Sequence, residues 1–356
     1  MTLEELRKKI DGIDEKLVEL INERARIVVE VGKLKQANET PIYVAHREKA
    51  VMDKIAELNQ GPLPDKTMQA IWRELMSGSF FLERPLLIGY LGPKGSFSHN
   101  AAMLKFGQSV DYEALTDIRG IFEEVSKGHC DFGIVPVENS AGGGIRETLD
   151  AFIETDVMIC AEEHMAIHHN LLANCPMSEI KRIYSKPEVF AQCRNWLAST
   201  FKEAETIPMA SSSRAAQLAA TETGSAAIAS TIASEIYGLK VLCHNIEDVS
   251  NNITRFLIIS RQDSQPSGED KTIVLFSTAH KTGALVDVLN VFKDYGINMT
   301  NIGSRPNKKR EWEYYFFVDF LGHRQDDHVK KALGEAKQHC LQLSVLGSFP
   351  RSGSIL

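Results

Sequence analysis

Long apolar runs are missing from this sequence: no stretch approaches the roughly 20 consecutive apolar residues a membrane-spanning helix needs. The N-terminus is acidic and amphipathic rather than a basic segment leading into an apolar run, so no secretory signal is expected. Excess positive charge is absent as well. The formal net charge is −7, the pI is about 5.9, and there is no basic tail or basic–aromatic patch, which argues against a nucleic-acid partner. The six cysteines, at 130, 160, 175, 193, 243 and 340, form no Cys-x-x-Cys pair. That scatter fits a reduced cytoplasmic protein with structural thiols.

What is present is globular. Hydrophobic residues make up 43% and charged residues 24% of 356, enough chain for two or three domains with their own cores. The chain opens on a helical seam. Leu3, Leu6, Ile10, Ile13, Leu17, Leu20, Ile27, Val31 and Leu34 recur at helical intervals, the pattern of a long helix packed on other helices. Arg24 takes the place between Leu20 and Ile27 where an apolar residue is due. A guanidinium there must meet an anion, either a carboxylate on another helix or a ligand. Lys35 projects from nearly the same face, close to three full turns on. Arg7 lies about 25 Å from Arg24 along a straight helix at 1.5 Å per residue. One chain therefore cannot bring both arginines to one small molecule, whereas an antiparallel partner helix can.

Leu6-Arg7-Lys8-Lys9-Ile10-Asp11, Asn22-Glu23-Arg24, Val31-Gly32-Lys33-Leu34-Lys35, Pro41-Ile42-Tyr43 and Arg47-Glu48 resemble the all-helical chorismate mutases over residues 1–84. The resemblance implies an all-α domain in a homodimer or higher homo-oligomer that binds a small dicarboxylate. In that arrangement Arg24, with Arg7 from the partner chain, grips carboxylates. Lys35 and Glu83 reach the ether oxygen, and Glu48 takes the ring hydroxyl. Arg47 and Ser79 complete the substrate-binding set. Val44 stands where the family often has Asp. The rearrangement of chorismate is pericyclic, with no proton transfer, so held cations and hydrogen-bond donors suffice. Two further helices are expected. One carries Val44, Val51, Ile55 and Leu58; the other, capped by Asp65, carries Met68, Ile71, Trp72, Leu75, Met76, Ser79 and Leu82.

The texture changes at Arg84-Pro85. Leu86 to Leu91 is a short apolar strand, followed by Gly92-Pro93-Lys94-Gly95-Ser96-Phe97-Ser98, a turn that could offer backbone N–H groups to an anion. Further strands are expected at Phe132 to Val137, Arg182 to Ser185, Thr206 to Met209, Ala226 to Ala229, Val241 to His244 and through Ser260. Their alternation with helices predicts a mainly parallel sheet with ligands at the strand ends. The Gly-rich turn, Val135-Pro136-Val137-Glu138-Asn139-Ser140, Thr148-Leu149-Asp150 and Asn252-x-Thr254-Arg255-Phe256 resemble prephenate dehydratase over residues 86–261. That implies two α/β lobes, similar to periplasmic binding proteins, with substrate in the cleft. The resemblance assigns catalysis to Thr254, which is too weak an acid to give up its proton fully and is expected to be an oriented hydrogen-bond donor. Ser96, Asn139, Ser140, Ser212 and Arg255 are the candidate substrate-binding residues. Glu138 is either an alternative general acid or a helix-capping carboxylate.

Arg261 to Lys271 is a polar linker. Beyond it come strand 272–278, helix 283–295, strands 297–303 and 312–321, helix 325–341 and strand 342–348, the βαββαβ order of a ferredoxin-like α+β fold. Gly283-Ala284-Leu285-Val286 and Ser304-Arg305-Pro306, within 271–350, resemble the amino-acid-binding ACT domain. The resemblance implies phenylalanine as an allosteric inhibitor bound by these residues. Gly303 stands where the family usually has Glu. Trp312 and Tyr314 to Phe317 are expected in the strand core, and Lys308-Lys309-Arg310 in a solvated turn.

Together the resemblances imply a multidomain, bifunctional, cytoplasmic enzyme of phenylalanine biosynthesis. Its substrates are chorismate and prephenate, and no cofactor, metal, membrane or nucleic acid is expected. The competing class is a non-catalytic amino-acid-sensing or ligand-binding protein built on the same domains. His164, His168 and His169 lack a carboxylate or Cys at ligand spacing and are expected to be structural or surface residues. Ser211-Ser212-Ser213 is first an N-cap cluster, with a substrate role second.

Overall fold

A computed structural model of the chain describes residues 1–38, 40–307 and 313–353; Lys308 to Arg310 and Trp312 therefore lie outside the described residues. Two compact units are present: residues 1–87 with 105–111, and residues 88–104 with 112–356.

The first unit is built on α1 (Leu3–Ala37), α2 (Ala45–Leu58) and α3 (Asp65–Glu83). Thr2 opens α1 with a reciprocal cap: its hydroxyl accepts from the Glu5 N–H, and its own N–H donates to the Glu5 carboxylate at 2.8 Å. α3 departs from expectation at its start. Pro64 occupies the cap position and Asp65 is the first helical residue, its carboxylate accepting from Asn59 Nδ2 at 2.6 Å. α3 packs on both other helices around buried Tyr43, Ala45 and Met76. Among the described residues the α1 seam stays largely uncovered: its nine apolar residues are 39–65% exposed. Segment 105–111 completes the unit. Phe106 meets the Tyr43 ring at 5.3 Å, Gln108 N–H donates to Glu74, and Ser109 N–H donates to Ser77.

The second unit holds two α/β lobes and an α+β domain. The first lobe runs β1 (Leu87–Leu91), α4 (Phe97–Phe106), β2 (Asp111–Leu115), α5 (Ile118–Lys127), β3 (Phe132–Asn139), β4 (Gly143–Gly144), α6 (Arg146–Glu154) and β5 (Met158–Ala166). The second contains β6 (Asn170–Ala173), β7 (Arg182–Ser185), α7 (Pro187–Gln192), α8 (Arg194–Thr200), β8 (Glu205–Pro208), α9 (Ser212–Ala219), β9 (Ser225–Ala229), α10 (Thr231–Tyr237) and β10 (Lys240–Cys243). The chain then returns to the first lobe as β11 (Ile253–Ser260). Sheet orders are β2-β1-β3-β11-β5 and β10-β6-β9-β7-β8.

Both sheets are mixed, which corrects the expectation of a mainly parallel one. β1 and β3 are parallel, as are β7, β8 and β9, but β11 is antiparallel to β3 and β5, and β6 to β9 and β10. The cause is the double crossover between lobes. β5 leaves the first lobe, and β11 re-enters where β5 left, so it must run the opposite way.

The last domain is β12 (Asp270–Ser277), α11 (Ala284–Asp294), β13 (Met299–Pro306), β14 (Tyr314–Leu321), α12 (Asp327–Ala336) and β15 (Gln342–Pro350). Its antiparallel order β13-β14-β12-β15 is ferredoxin-like, with Val288, Phe292 and Val329 packed on Val274, Phe276, Val318 and Phe320. β12 begins inside the expected linker, and Asp270 and Lys271 are buried.

Candidate functional sites

On the helical unit, Arg24 Nη1 donates to Ser79 Oγ at 2.8 Å, and Ser79 donates on to the Leu75 carbonyl. Among the described residues no carboxylate pairs with Arg24, so its charge is left for an outside anion. One turn along α3, Glu83 accepts from Lys35 Nζ at 2.8 Å, and Lys35 also donates to the Ile42 carbonyl. Gly32 makes this approach possible, since a Cβ there would lie 3.1–3.3 Å from Glu83. Next to Ile42, the Tyr43 hydroxyl donates to Glu48 Oε2 at 2.7 Å, and Lys105 Nζ sits 2.8 Å from the same oxygen. Arg24–Ser79 and Lys35–Glu83 thus join α1 to α3, and Lys35 meets the carbonyl of Ile42 beside the Tyr43 that holds Glu48. Arg47 is exposed, and Arg7 stays at the far end of α1.

In the α/β lobes, register places Thr254 of β11 opposite Asn139 of β3. Asn139 Oδ1 accepts the N–H groups of Ala141 and Gly142, both at 3.0 Å. Because those backbone groups can only donate, the amide orientation is fixed. Its Nδ2 therefore donates to Thr254 Oγ1 at 2.8 Å and to Asn252 Oδ1 at 2.7 Å. Asn252 Nδ2 in turn donates to Gln192 Oε1 at 3.2 Å, which also lies 2.6 Å from His169 Nε2. His169 must carry its proton on Nε2 to complete that pair. Burial holds its pKa below the ordinary imidazole value, so the ring is neutral at pH 7. Thr254 already accepts one hydrogen bond, which leaves its own proton free for a ligand. A cavity of about 460 Å³ opens beside this chain, lined by Ser140, Gln192, Asn195, Asp248 and Asn252.

The other expected binding residues serve the walls. Ser140 Oγ accepts from Ile253 N–H and donates to the Asn251 carbonyl, tying β3 to β11. Ser96 caps α4 by accepting from His99 N–H and donates to the Leu91 carbonyl. In the Gly-rich turn Gly92, Gly95 and Ser96 direct their N–H groups to Leu115 O, His99 Nδ1 and Pro93 O, so these three are not open to an anion. Instead the second lobe grips its carbonyls, with Ser213 and Tyr237 donating to Lys94 O and Ser230 to Gly95 O. Ser211 is the cap of α9, as expected, and Ser212 is buried behind it.

Family models match in order: chorismate mutase type II over residues 6–84, prephenate dehydratase over 88–264 and the ACT domain over 272–338. A bifunctional chorismate mutase/prephenate dehydratase from Aquifex aeolicus is 41% identical over 355 residues, 98% of each chain. This chain belongs to the bifunctional chorismate mutase/prephenate dehydratases. Among solved structures, the prephenate dehydratase of Arthrobacter aurescens in complex with L-Phe has a TM-score of 0.69 at 31% identity, over 75% of this chain and 90% of that one. A quorum-quenching acylase shares the fold with a TM-score of 0.70 at 25% identity, over 75% of this chain and 98% of that one.

As a member of this family, the enzyme converts chorismate to prephenate, and prephenate to phenylpyruvate with loss of CO₂ and water. Arg255, expected at the substrate, occupies a different place. As the neighbour of Thr254 on a strand, it projects from the opposite face. There it pairs with Glu162 of β5 at 2.8 Å and with Asp319 of β14, while Lys271 also holds Glu162. Burial raises the Glu162 pKa, but Arg255 and Lys271 together bring it below the ordinary carboxylate value. Glu138 also turns to this face, near Asn301 and lining a cavity of about 220 Å³ with Arg255, Gly303 and Asp319. It caps no helix: Ile145 is the cap of α6. Arg305, of the expected effector set, pairs bidentately with Asp150 at 2.8 and 2.9 Å. Gly283 starts α11 in the left-handed region, Ala284 is buried, and Val286 is exposed. Leu285 packs on the domain core, and Ser304 and Pro306 lie on β13 beside Arg305. Gln192, His169 and Lys105 escaped sequence reasoning. Gln192 sits in no motif, and the sequence leads one to expect His169 only as a structural or surface residue.

Proposed function

We propose that separate residue sets carry the two reactions. Arg24, Lys35, Glu48, Ser79 and Glu83, with Arg7 from a partner chain and Arg47 at the rim, perform the mutase step in residues 1–84. Thr254, held by Asn139, performs the dehydratase step in residues 86–261. The carrying observation is the fixed Asn139 amide, which makes Thr254 an acceptor within the protein and so a donor toward substrate. As the ring hydroxyl departs with the electrons of its C–O bond, the Thr254 proton stabilises the developing charge. Carboxylate loss restores the electrons to the ring, and aromatisation drives both. Ser96, Ser140 and Ser212 shape the cleft.

The exposed α1 seam supports a homodimer that covers it. Residues 271–350 bind phenylalanine and inhibit the dehydratase allosterically, a reading supported by L-Phe in the Arthrobacter relative. The enzyme works in the cytoplasm, where its free cysteines stay reduced. Thr254→Val removes the donor while keeping the shape. Dehydratase kcat should fall on the order of 10²–10³-fold, the usual worth of one hydrogen-bond donor to developing charge. Mutase activity should hold, and Thr254→Ser should recover much of the loss. Near wild-type prephenate turnover by a folded Val variant would overturn the assignment.

A further inference from the structure

The match to the mutase family ends at residue 84, yet the carboxylate assigned to the ring hydroxyl is held by a residue beyond it. Lys105 Nζ lies 2.8 Å from Glu48 Oε2, with only 11% and 13% of the two side chains exposed. The segment that carries this lysine is locked to the helices. Phe106, 1% exposed, packs on Tyr43, which packs on Phe80. Gly107 takes a φ of +76°, and a Cβ there would lie 2.5 Å from Ser77. The next residues donate their N–H groups to Glu74 and Ser77. Lys105 is therefore delivered to Glu48 by backbone anchoring rather than by a freely moving surface chain.

We propose that Lys105 is a positioning residue for the mutase reaction. Together with the Tyr43 hydroxyl it pins Oε2 of Glu48, keeping the carboxylate in one rotamer. Both contacts fall on Oε2, so Oε1 can accept the substrate's ring hydroxyl without either being broken. A charge-assisted pair in a half-dry setting holds such geometry better than a neutral hydroxyl alone. The compact chorismate conformer is reached only if that acceptor stands still. The mutase site thus draws on sequence that also forms the end of the first helix of the dehydratase segment. This inference rests on the role given to Glu48 above.

The test is steady-state mutase and dehydratase kinetics on the full chain for Lys105→Met, Lys105→Arg, Glu48→Gln and the Met/Gln double variant. Lys105→Met should lower mutase kcat/KM on the order of tenfold, as a displaced positioning group does. Lys105→Arg should restore most of it, and dehydratase turnover should be unchanged throughout. With Glu48 already replaced, adding Lys105→Met should cost no more than about twofold, the limit for uncoupled error. A full loss repeated in the Gln background would place Lys105 elsewhere in the reaction and overturn the proposal. So would wild-type mutase kinetics in Lys105→Met beside an impaired Glu48→Gln. Wild-type kinetics in Glu48→Gln would remove the Glu48 assignment itself, and the proposal with it. Should Lys105→Met lose dehydratase turnover too, Lys105→Gln replaces it in the same comparison.

Discussion

Mixing two inactive variants tests the shared mutase site quantitatively. Seventeen residues separate Arg7 from Arg24 on the unbroken α1, about 25 Å at 1.5 Å per residue. A molecule the size of chorismate cannot touch both on one chain. If each site takes Arg24 from one chain and Arg7 from the other, the Arg7→Ala and Arg24→Ala homodimers each lack one cation in both sites. A hydrogen bond to a charged group contributes roughly 1.5–3 kcal/mol, so each homodimer should keep less than about a tenth of wild-type activity. Unfolding and refolding the variants together gives about half heterodimers under random two-fold pairing. In a heterodimer one site carries both substitutions and the other carries neither. Mutase activity should therefore return to about a quarter of wild type, as set by that symmetry. The assay is chorismate consumption on mixtures whose differently tagged chains are shown to co-purify. Verified heterodimers with no activity above that of the parents would refute the shared site and the placement of Arg7.

Two further outcomes follow from the α/β and regulatory parts. A Cβ at Gly303 would meet nothing within 4 Å, so Gly303→Glu should fold and place a carboxylate in the cavity beside Asn301. Half-inhibition by phenylalanine should then need about tenfold less effector, the worth of one charge-assisted hydrogen bond; unchanged or lost inhibition counts against this. His169 is held below the ordinary value of 6.5 by burial, so the unfolded chain takes up the proton first as pH falls. Its contribution is fully present above about pH 6.5 and declines below it, by at most about 1.4 kcal/mol per pH unit. Melting temperatures measured from pH 7.5 to 5.5 should fall less steeply in His169→Gln, and equal slopes would contradict the buried neutral ring.

The helical domain was legible from its seam, because a 3.6-residue period survives in one dimension and a cation out of place in it stands out. Arg24 and Lys35 were visible for that reason. The βαββαβ order of the last domain was legible too, since each element there is a separate apolar run. β5 was not, for Glu162, Glu163 and His164 break its apolar pattern, although Glu162 is fully enclosed by Arg255 and Lys271. Strand direction was also hidden, because it depends on where the chain re-enters a sheet after crossing between lobes. Sequence alone determined the family and the order of its domains, since these rest on spacing within single segments. Only the tertiary structure decided which way each side chain faces. Thr254 and Arg255 are neighbours, yet strand alternation sends one to the Asn139–Gln192 chain and the other to a buried ion cluster with Asp319. Lys105 reaches Glu48 across 57 residues of chain, a proximity that only folding creates.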